Sequence, residues 1–436
     1  MLVLVIIPVH TDHFAFAGII QDSIEDWAQQ AAEMADIYSN AYLTIAASAA
    51  DNGQQGMLNR RKPQKLDIAH GDQTYTVCVR EPIIHSLHYV GGDDRAALMA
   101  SPNLKLRQRA WCLQEEFLSP CVVHFTCDEV VFVCREATLC ECTPKWHERF
   151  RLPTFSSYTS WNNFLEHYTD RKITFFADKL AAISSLARFL KTDSDRYLAG
   201  LWLSRMPEGL LWRIDGGLRP KPLDPSQSNP PSWSWASVEG KVYERLLSFQ
   251  ESGTTATLLD AQVYPSTSDP MGMVSGGHII LRGPLLSLQE TWKRHCAPPN
   301  GGTYNFAYKD REPHVICEPG WERDNPSSPE EVCCYILDDM GNEPFSQPSG
   351  VFDAPVFLFV IYTSLFPHYP PGTFTSTLHC LLLKLLPDLD ENQQKTMEDS
   401  GVERAFVRIG MGMLQLDSLE ADKALDRFGE TVVTIF

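Results

Sequence analysis

The chain lacks a long apolar run, a dense cysteine framework and a surplus of basic residues. It also lacks the short motifs of nucleotide-binding and serine-hydrolase chemistry. Each absence removes a class of protein. The longest apolar stretches, residues 1–9 (MLVLVIIPV) and 354–366, fall short of the roughly 20 residues a spanning helix needs, so no membrane span is expected. Residues 1–9 have no basic leader, and His10, Asp12 and His13 separate them from the cleavage-site mimic Ala15-Phe16-Ala17; they read as a strand rather than a secretory signal. Twelve cysteines scattered over 436 residues are not the framework of a small secreted domain, which fits a reducing, cytoplasmic compartment. Lys and Arg number 37 against 55 Asp and Glu, and the resulting charge of −18 repels phosphate backbones and anionic lipid, so no nucleic-acid partner is expected. Without a P-loop, a GxGxxG turn or a nucleophile elbow, triphosphatases and serine hydrolases have no support.

What is present is globular. Hydrophobic residues at 44% and charged residues at 21% can build a sizeable core, and the length predicts two or three domains. Ser23 and Asp26 have the form of a capping box, and Trp27, Ala31, Met34, Tyr38 and Ala41 recur at helical spacing, predicting a helix over residues 25–38. Residues 42–48 (YLTIAAS) are apolar without that period and read as a short buried strand. Gly and Asn mark residues 51–61 as a loop, and residues 75–79 alternate like a strand. Residues 107–120 form a short helix ended by Pro120, and residues 122–126 and 129–134 form a hairpin. Residues 161–213 are helical in pattern, with Leu198, Leu201, Trp202, Leu210 and Leu211 continuing the apolar stripe. Prolines between 220 and 231 form a rigid linker, and alternation then returns at Trp233 and Trp235. Strands at 255–263, 278–286, 333–337, 354–366, 378–385 and 402–413 make the remainder β-rich.

Three groups of residues could carry chemistry. Cys121, His124, Cys127, Cys134, Cys140 and Cys142 imitate a zinc cluster, but two apolar strands interrupt them and would aim alternate side chains to opposite faces. They read as small buried hydrophobes, and no metal site is expected. Cys112, between Trp111 and Leu113 and with no histidine at a readable spacing, reads as core rather than nucleophile. Glu115 and Glu116 lie about 100° apart on a helix, so one can face solvent while the other lines a cleft. An inward carboxyl against aromatic surface would have a raised pKa, as glycoside-processing acids do; the alternative is two solvated helix carboxylates.

Taken together the segments resemble the fungal heterokaryon-incompatibility (HET) domain family. Residues 19–48 (IIQDSIEDWAQQAAEMADIYSNAYLTIAAS) are similar to its helix and strand, and residues 109–120 (RAWCLQEEFLSP) to its Arg-x-Trp-x-x-Gln-Glu block. Residues 122–136 are similar to the hairpin that follows, and YTDRKITFFADKLAAISSLA, YLAGLW, GLLWR and PSWSWASVEG to the region downstream. The resemblance implies an α/β, flavodoxin-like or TIR-like domain over residues 1–150, a helical region over 151–225 and a β-rich C-terminal domain over 226–436. It implies non-self recognition and programmed cell death in a filamentous fungus, and for some TIR-like members cleavage of NAD+. On this resemblance Glu115 is the catalytic carboxylate, and Ser48, Arg109, Trp111 and Gln114 are substrate-binding residues. No cofactor is implied, NAD+ being a substrate. The chain departs from the family before Gln21-Asp22: the first strand block and the Trp-Ile-Asp of the second strand are not matched, so the domain is expected to be incomplete, with residues 1–9 partly refilling the first strand's place. Two further readings stay open: an interaction module with allelic or self partners, using the Trp233 and Trp235 region as a surface unless those rings are core, and an inactive remnant.

Overall fold

The structure, a computed structural model, describes residues 3–6, 24–52, 55–58, 64–79, 104–141, 143–148, 157–214, 230–244, 252–287, 334–338, 356–368, 373–386, 388–417, 425 and 429–436. The chain divides into two units. Unit 1 comprises Met1–Trp161, Arg171–Phe176 and Ala181–Leu190; unit 2 comprises Asn162–Asp170, Ala177–Leu180 and Lys191–Phe436.

Unit 1 is a mixed α/β layer. Strands β1 (Val3–Ile6), β2 (Leu43–Ala46), β5 (Cys121–Phe125), β6 (Val130–Cys134), β7 (Ala137–Cys140) and β8 (Thr143–Glu148) form one sheet in the order β1-β2-β5-β6-β7-β8. The expected strand in residues 1–9 is β1, antiparallel to β2, and the expected hairpin is β5–β6. Among the described strands of this sheet only β2 and β5 run parallel, with Thr44 opposite Val122 and Ala46 opposite His124. A separate ribbon of β3 (Gln64–His70) and β4 (Gln73–Val79) adds a strand that polar Gln64, Lys65 and Asp67 hide from a hydrophobic pattern.

Helix α1 (Ile24–Ser39) buries Ala31, Met34 and Tyr38, while Gln29 and Glu33 face water and share a hydrogen bond of 3.1 Å. Its capping residue Ser23 lies outside the described residues, as does the side chain of Trp27. A 3₁₀ turn (Lys105–Gln108) leads into α2 (Trp111–Leu118). Both α1 and α2 pack on α4 (Ala181–Leu190), where Phe117 meets Phe189 edge to face at 5.5 Å.

The helical expectation for residues 161–213 holds for α3 (Ser157–Thr169) and α4 but fails beyond them. There the chain forms β9 (Tyr197–Leu198), β10 (Leu201–Trp202), β11 (Trp212–Ile214) and 3₁₀ turns at Leu203–Arg205 and Glu208–Leu210. Ala199 and Gly200 stand at φ 44° and 102°, which a helix forbids, and a Cβ on Gly200 would come within 2.3 Å of the Trp235 ring. Apolar runs this short carry no usable period.

The strand expected at Trp233 to Ser237 is also corrected. Ser234 caps a 3₁₀ turn (Trp235–Ser237), accepting from the Ala236 amide at 3.0 Å. Trp212, Trp233 and Trp235 are all 0% exposed, so the tryptophans are core and cannot form a partner surface. Trp235 donates to the Gly200 carbonyl at 2.7 Å and Trp212 to that of Trp233 at 3.0 Å, as buried indoles require.

The C-terminal part of unit 2 is sheet-rich, as expected. A short β12 (Val242–Glu244) pairs β11. Then follow β13 (Ser252–Thr254), β14 (Thr257–Pro265), β15 (Val274–Ser287), β16 (Cys334–Asp338), β17 (Val356–His368), β18 (Thr373–Leu385), β19 (Ala405–Asp417) and β20 (Glu430–Ile435). Pairings of β15 with β17, β17 with β18, β18 with β19, β19 with β20 and β20 back to β15 close a ring, which leaves those strands no free edge to manage. Helix α5 (Glu391–Ser400) has a complete capping box, Asp390 with Gln393, and ends at Gly401 with φ 65°; the two signals bracket a mostly polar run. Among the described residues no helix is long and apolar enough to cross a membrane.

Candidate active site

The site is built by two periodicities. On β2 the inward positions are Thr44 and Ala46, and two residues further Ser48 keeps that face, 1% exposed; on β5 the inward positions are Val122 and His124. Because β2 and β5 are parallel, Ser48 and His124 meet at the carboxyl ends of both strands, and Ser48 Oγ lies 2.9 Å from His124 Nδ1. Open α/β sheets bind their ligands outside such ends. Helix α2 brings Cys112, Glu115 and Glu116 to the same place, spaced by three and four residues and so on one face.

These side chains, with Leu106 and Arg107 of the 3₁₀ turn, line a recess of about 20 Å³. That is room for one water.

The two glutamates have opposite electrostatics. Glu115 is 4% exposed. Burial drives its carboxyl up to about 7, against hydrogen bonds from Cys112 and Tyr38 and the charges of Arg109 and Arg171, which lower it. The Cys112 thiol and Tyr38 phenol are themselves pushed up by burial and then by the carboxyl, so both remain protonated donors. Burial also raises Glu116, but Arg107, His124 and Arg171 together outweigh it and hold that carboxyl at about 2. Arg107 Nη2 is 2.5 Å from Glu116 Oε1, Arg171 Nη2 is 4.0 Å from Oε2, and His124 Nε2 is 4.0 Å from Oε1. Arg171 is brought in by backbone bonds from Ala110 N to Lys172 O at 2.9 Å and from Lys172 N to Gln108 O at 2.6 Å.

Of the residues singled out from the sequence, the structure brings Glu115 and Ser48 to the recess. Arg109 is exposed and reaches Glu115 only through its charge; Trp111 is half-buried. Gln114 is fully buried, with neither amide atom hydrogen-bonded. His124 and Arg107 at the recess, and Tyr38 and Arg171 acting on the glutamates, were not expected; Glu116, weighed beside Glu115 in the sequence, joins it at the recess. The inward alternation of β5 was a signal in the sequence that could have placed His124 on the face of the recess. Cys121 and Cys134 stand opposite each other across the hairpin with no disulfide between them.

A second cavity, about 1280 Å³, lies in unit 2. On its wall Tyr264 is hydrogen-bonded to His278 Nδ1 at 2.9 Å, and Asp260 lies 3.5 Å from Nε2. Burial lowers the His278 pKa more than Asp260 restores it.

Unit 1 is thus an α/β unit with a buried acid–base cluster at the ends of its parallel strands. Residues 17–115 match the family model described as Heterokaryon incompatibility protein (HET). The match ends on Glu115 and covers the helix-and-strand and Arg-x-Trp-x-x-Gln-Glu blocks; the hairpin and all of the β-rich part lie outside it. No curated protein and no solved structure matches the chain. The larger cavity involves none of the matched residues.

Proposed function

We propose that the chain is an effector of heterokaryon incompatibility in a filamentous fungus, acting in non-self recognition and cell death through hydrolysis of NAD+ at Glu115. The observation that carries this reading is the state of Glu115: a buried carboxyl, held near pH 7, at the carboxyl end of a parallel β2–α2–β5 passage. That passage also supports the flavodoxin-like or TIR-like reading of the unit, although β2–β5 is the one parallel pairing in its described sheet.

In the reaction the ribosyl C1′–N1 bond breaks, nicotinamide leaves with the bonding pair, and an oxocarbenium-like ribose takes up water to give ADP-ribose and a proton. An ionised carboxylate beside C1′ stabilises that positive charge, the demand that glycosidases meet in the same way. Since Glu115 ionises at about 7, kcat/KM rises with pH through that value. Purified chain is incubated with NAD+ while nicotinamide and ADP-ribose are measured. Release by the wild type and its loss in Glu115→Gln are expected; no release above that variant overturns the reading.

A second reading, a non-catalytic interaction module in the same process, is favoured by the size of the recess. About 20 Å³ admits a water and not a nicotinamide ring, so catalysis requires the recess to open. The same assay separates the two.

A further inference from the structure

We propose that Ser48, His124 and Glu116 form a proton relay that activates the attacking water in the recess beside Glu115. The inference rests on the NAD+-hydrolysis reading and assigns a second function within that site. Ser48 and His124 are 1% and 4% exposed, at the carboxyl ends of neighbouring parallel strands, and the hydrogen bond between them spans 76 residues of chain. Burying two polar side chains together at a strand end has a cost that an apolar pair would avoid.

The direction of the relay follows from Glu116. Arg107 keeps that carboxylate ionised, and it faces His124 Nε2 at 4.0 Å. A negative charge there favours the tautomer with its proton on Nε2, which leaves the Nδ1 lone pair to accept the Ser48 hydroxyl proton. Glu116 is therefore a positioning residue. It orients the imidazole and stabilises the imidazolium, the part a carboxylate plays in serine–histidine systems.

Such an arrangement suggests acyl transfer with Ser48 as nucleophile, but the backbone argues otherwise. The Ala49 amide donates to Phe125 O at 3.2 Å and the Ala50 amide to Ala47 O at 3.1 Å, so the two amides following Ser48 are engaged and cannot form an oxyanion hole. The recess, lined by both Ser48 and Glu115, instead has room for one water. In the step, the water oxygen bonds to C1′ as the C1′–N1 bond breaks and nicotinamide takes the bonding pair. The water proton passes to Ser48 Oγ while the Ser48 proton passes to His124 Nδ1, and imidazolium later returns one proton to solvent.

The experiment uses the full chain with NAD+ and 3-acetylpyridine. Exchange of nicotinamide for the added base needs bond breaking and Glu115 but no water, whereas hydrolysis needs both. The ratio of ADP-ribose to exchanged dinucleotide is measured in one sample, so it does not depend on how much protein is folded. In Ser48→Ala and in His124→Gln the ratio is expected to fall by about 100-fold, the scale of a general base. An unchanged ratio in both variants overturns the relay and leaves NAD+ cleavage standing. A wild type that neither hydrolyses nor exchanges overturns the functional reading and the relay with it.

Discussion

Replacing Glu115 by Gln should make unit 1 more stable at high pH than at low pH relative to the wild type, and the size of the effect follows from one group. The wild-type carboxyl ionises at about 7 when folded and near its ordinary 4.5 when unfolded. Between those values the folded state holds the extra proton, so stability falls as pH rises through the window. The penalty is absent below 4.5 and complete above 7. A shift of that size corresponds to about 3 kcal/mol, of which roughly 2.5 kcal/mol develops between pH 5 and pH 8. Glutamine keeps the shape and an oxygen for the Tyr38 and Cys112 donors but does not titrate, so its own cost is constant with pH. Urea unfolding at a series of pH values, followed by hydrogen-exchange mass spectrometry on peptides spanning residues 111–125, reads unit 1 separately from unit 2. The stability difference, variant minus wild type, should climb by about 2.5 kcal/mol from pH 5 to pH 8. A difference flat across that range refutes the raised carboxyl and removes the main support for Glu115 as the working carboxylate.

The neighbouring Glu116→Gln should do the opposite. Its folded pKa of about 2 lies below 4.5, so its contribution is present above 4.5 and lost as pH falls through 2. The same peptides should lose about 3 kcal/mol of protection at pH 7, and an unchanged midpoint there would mean that the contacts with Arg107 and Arg171 contribute nothing. Gln114→Leu, which removes two buried amide atoms that have no hydrogen bond, should raise the unfolding midpoint by the equivalent of about 1–3 kcal/mol; a lower midpoint would show the amide to be satisfied.

Local pattern carried the sequence reading as far as elements with a clean period. The α1 stripe through Ala31, Met34 and Tyr38 is visible in a row of letters, and the structure buries those side chains. The pattern failed at residues 197–214, where Gly200 gives way to the Trp235 ring and each apolar run is two or three residues long. Motif resemblance located Glu115, but its environment comes from Tyr38 on another helix and Arg171 on a later segment, and nothing near residue 115 announces either. The bond from Ser48 to His124 depends on β2 and β5 being parallel neighbours, a fact of topology and not of spacing.

The same limit explains why the sequence could pose the question of the two glutamates and not answer it. Adjacent carboxyls on one helix have the same propensity and the same charge, and the helical turn says only that they point differently. What separates them is the set of partners each direction finds. Glu115 turns toward Tyr38 and Cys112, which donate hydrogen bonds but carry no positive charge, with Arg109 and Arg171 acting only through space; burial wins and the carboxyl waits near neutrality. Glu116 turns toward Arg107, His124 and Arg171, and charge wins over burial. Two acids driven apart in this way can hold different roles at one pH, one changing its protonation state while the other stays a fixed charge. In a site with room for a single water, that division assigns the titrating role to Glu115 and the orienting role to Glu116.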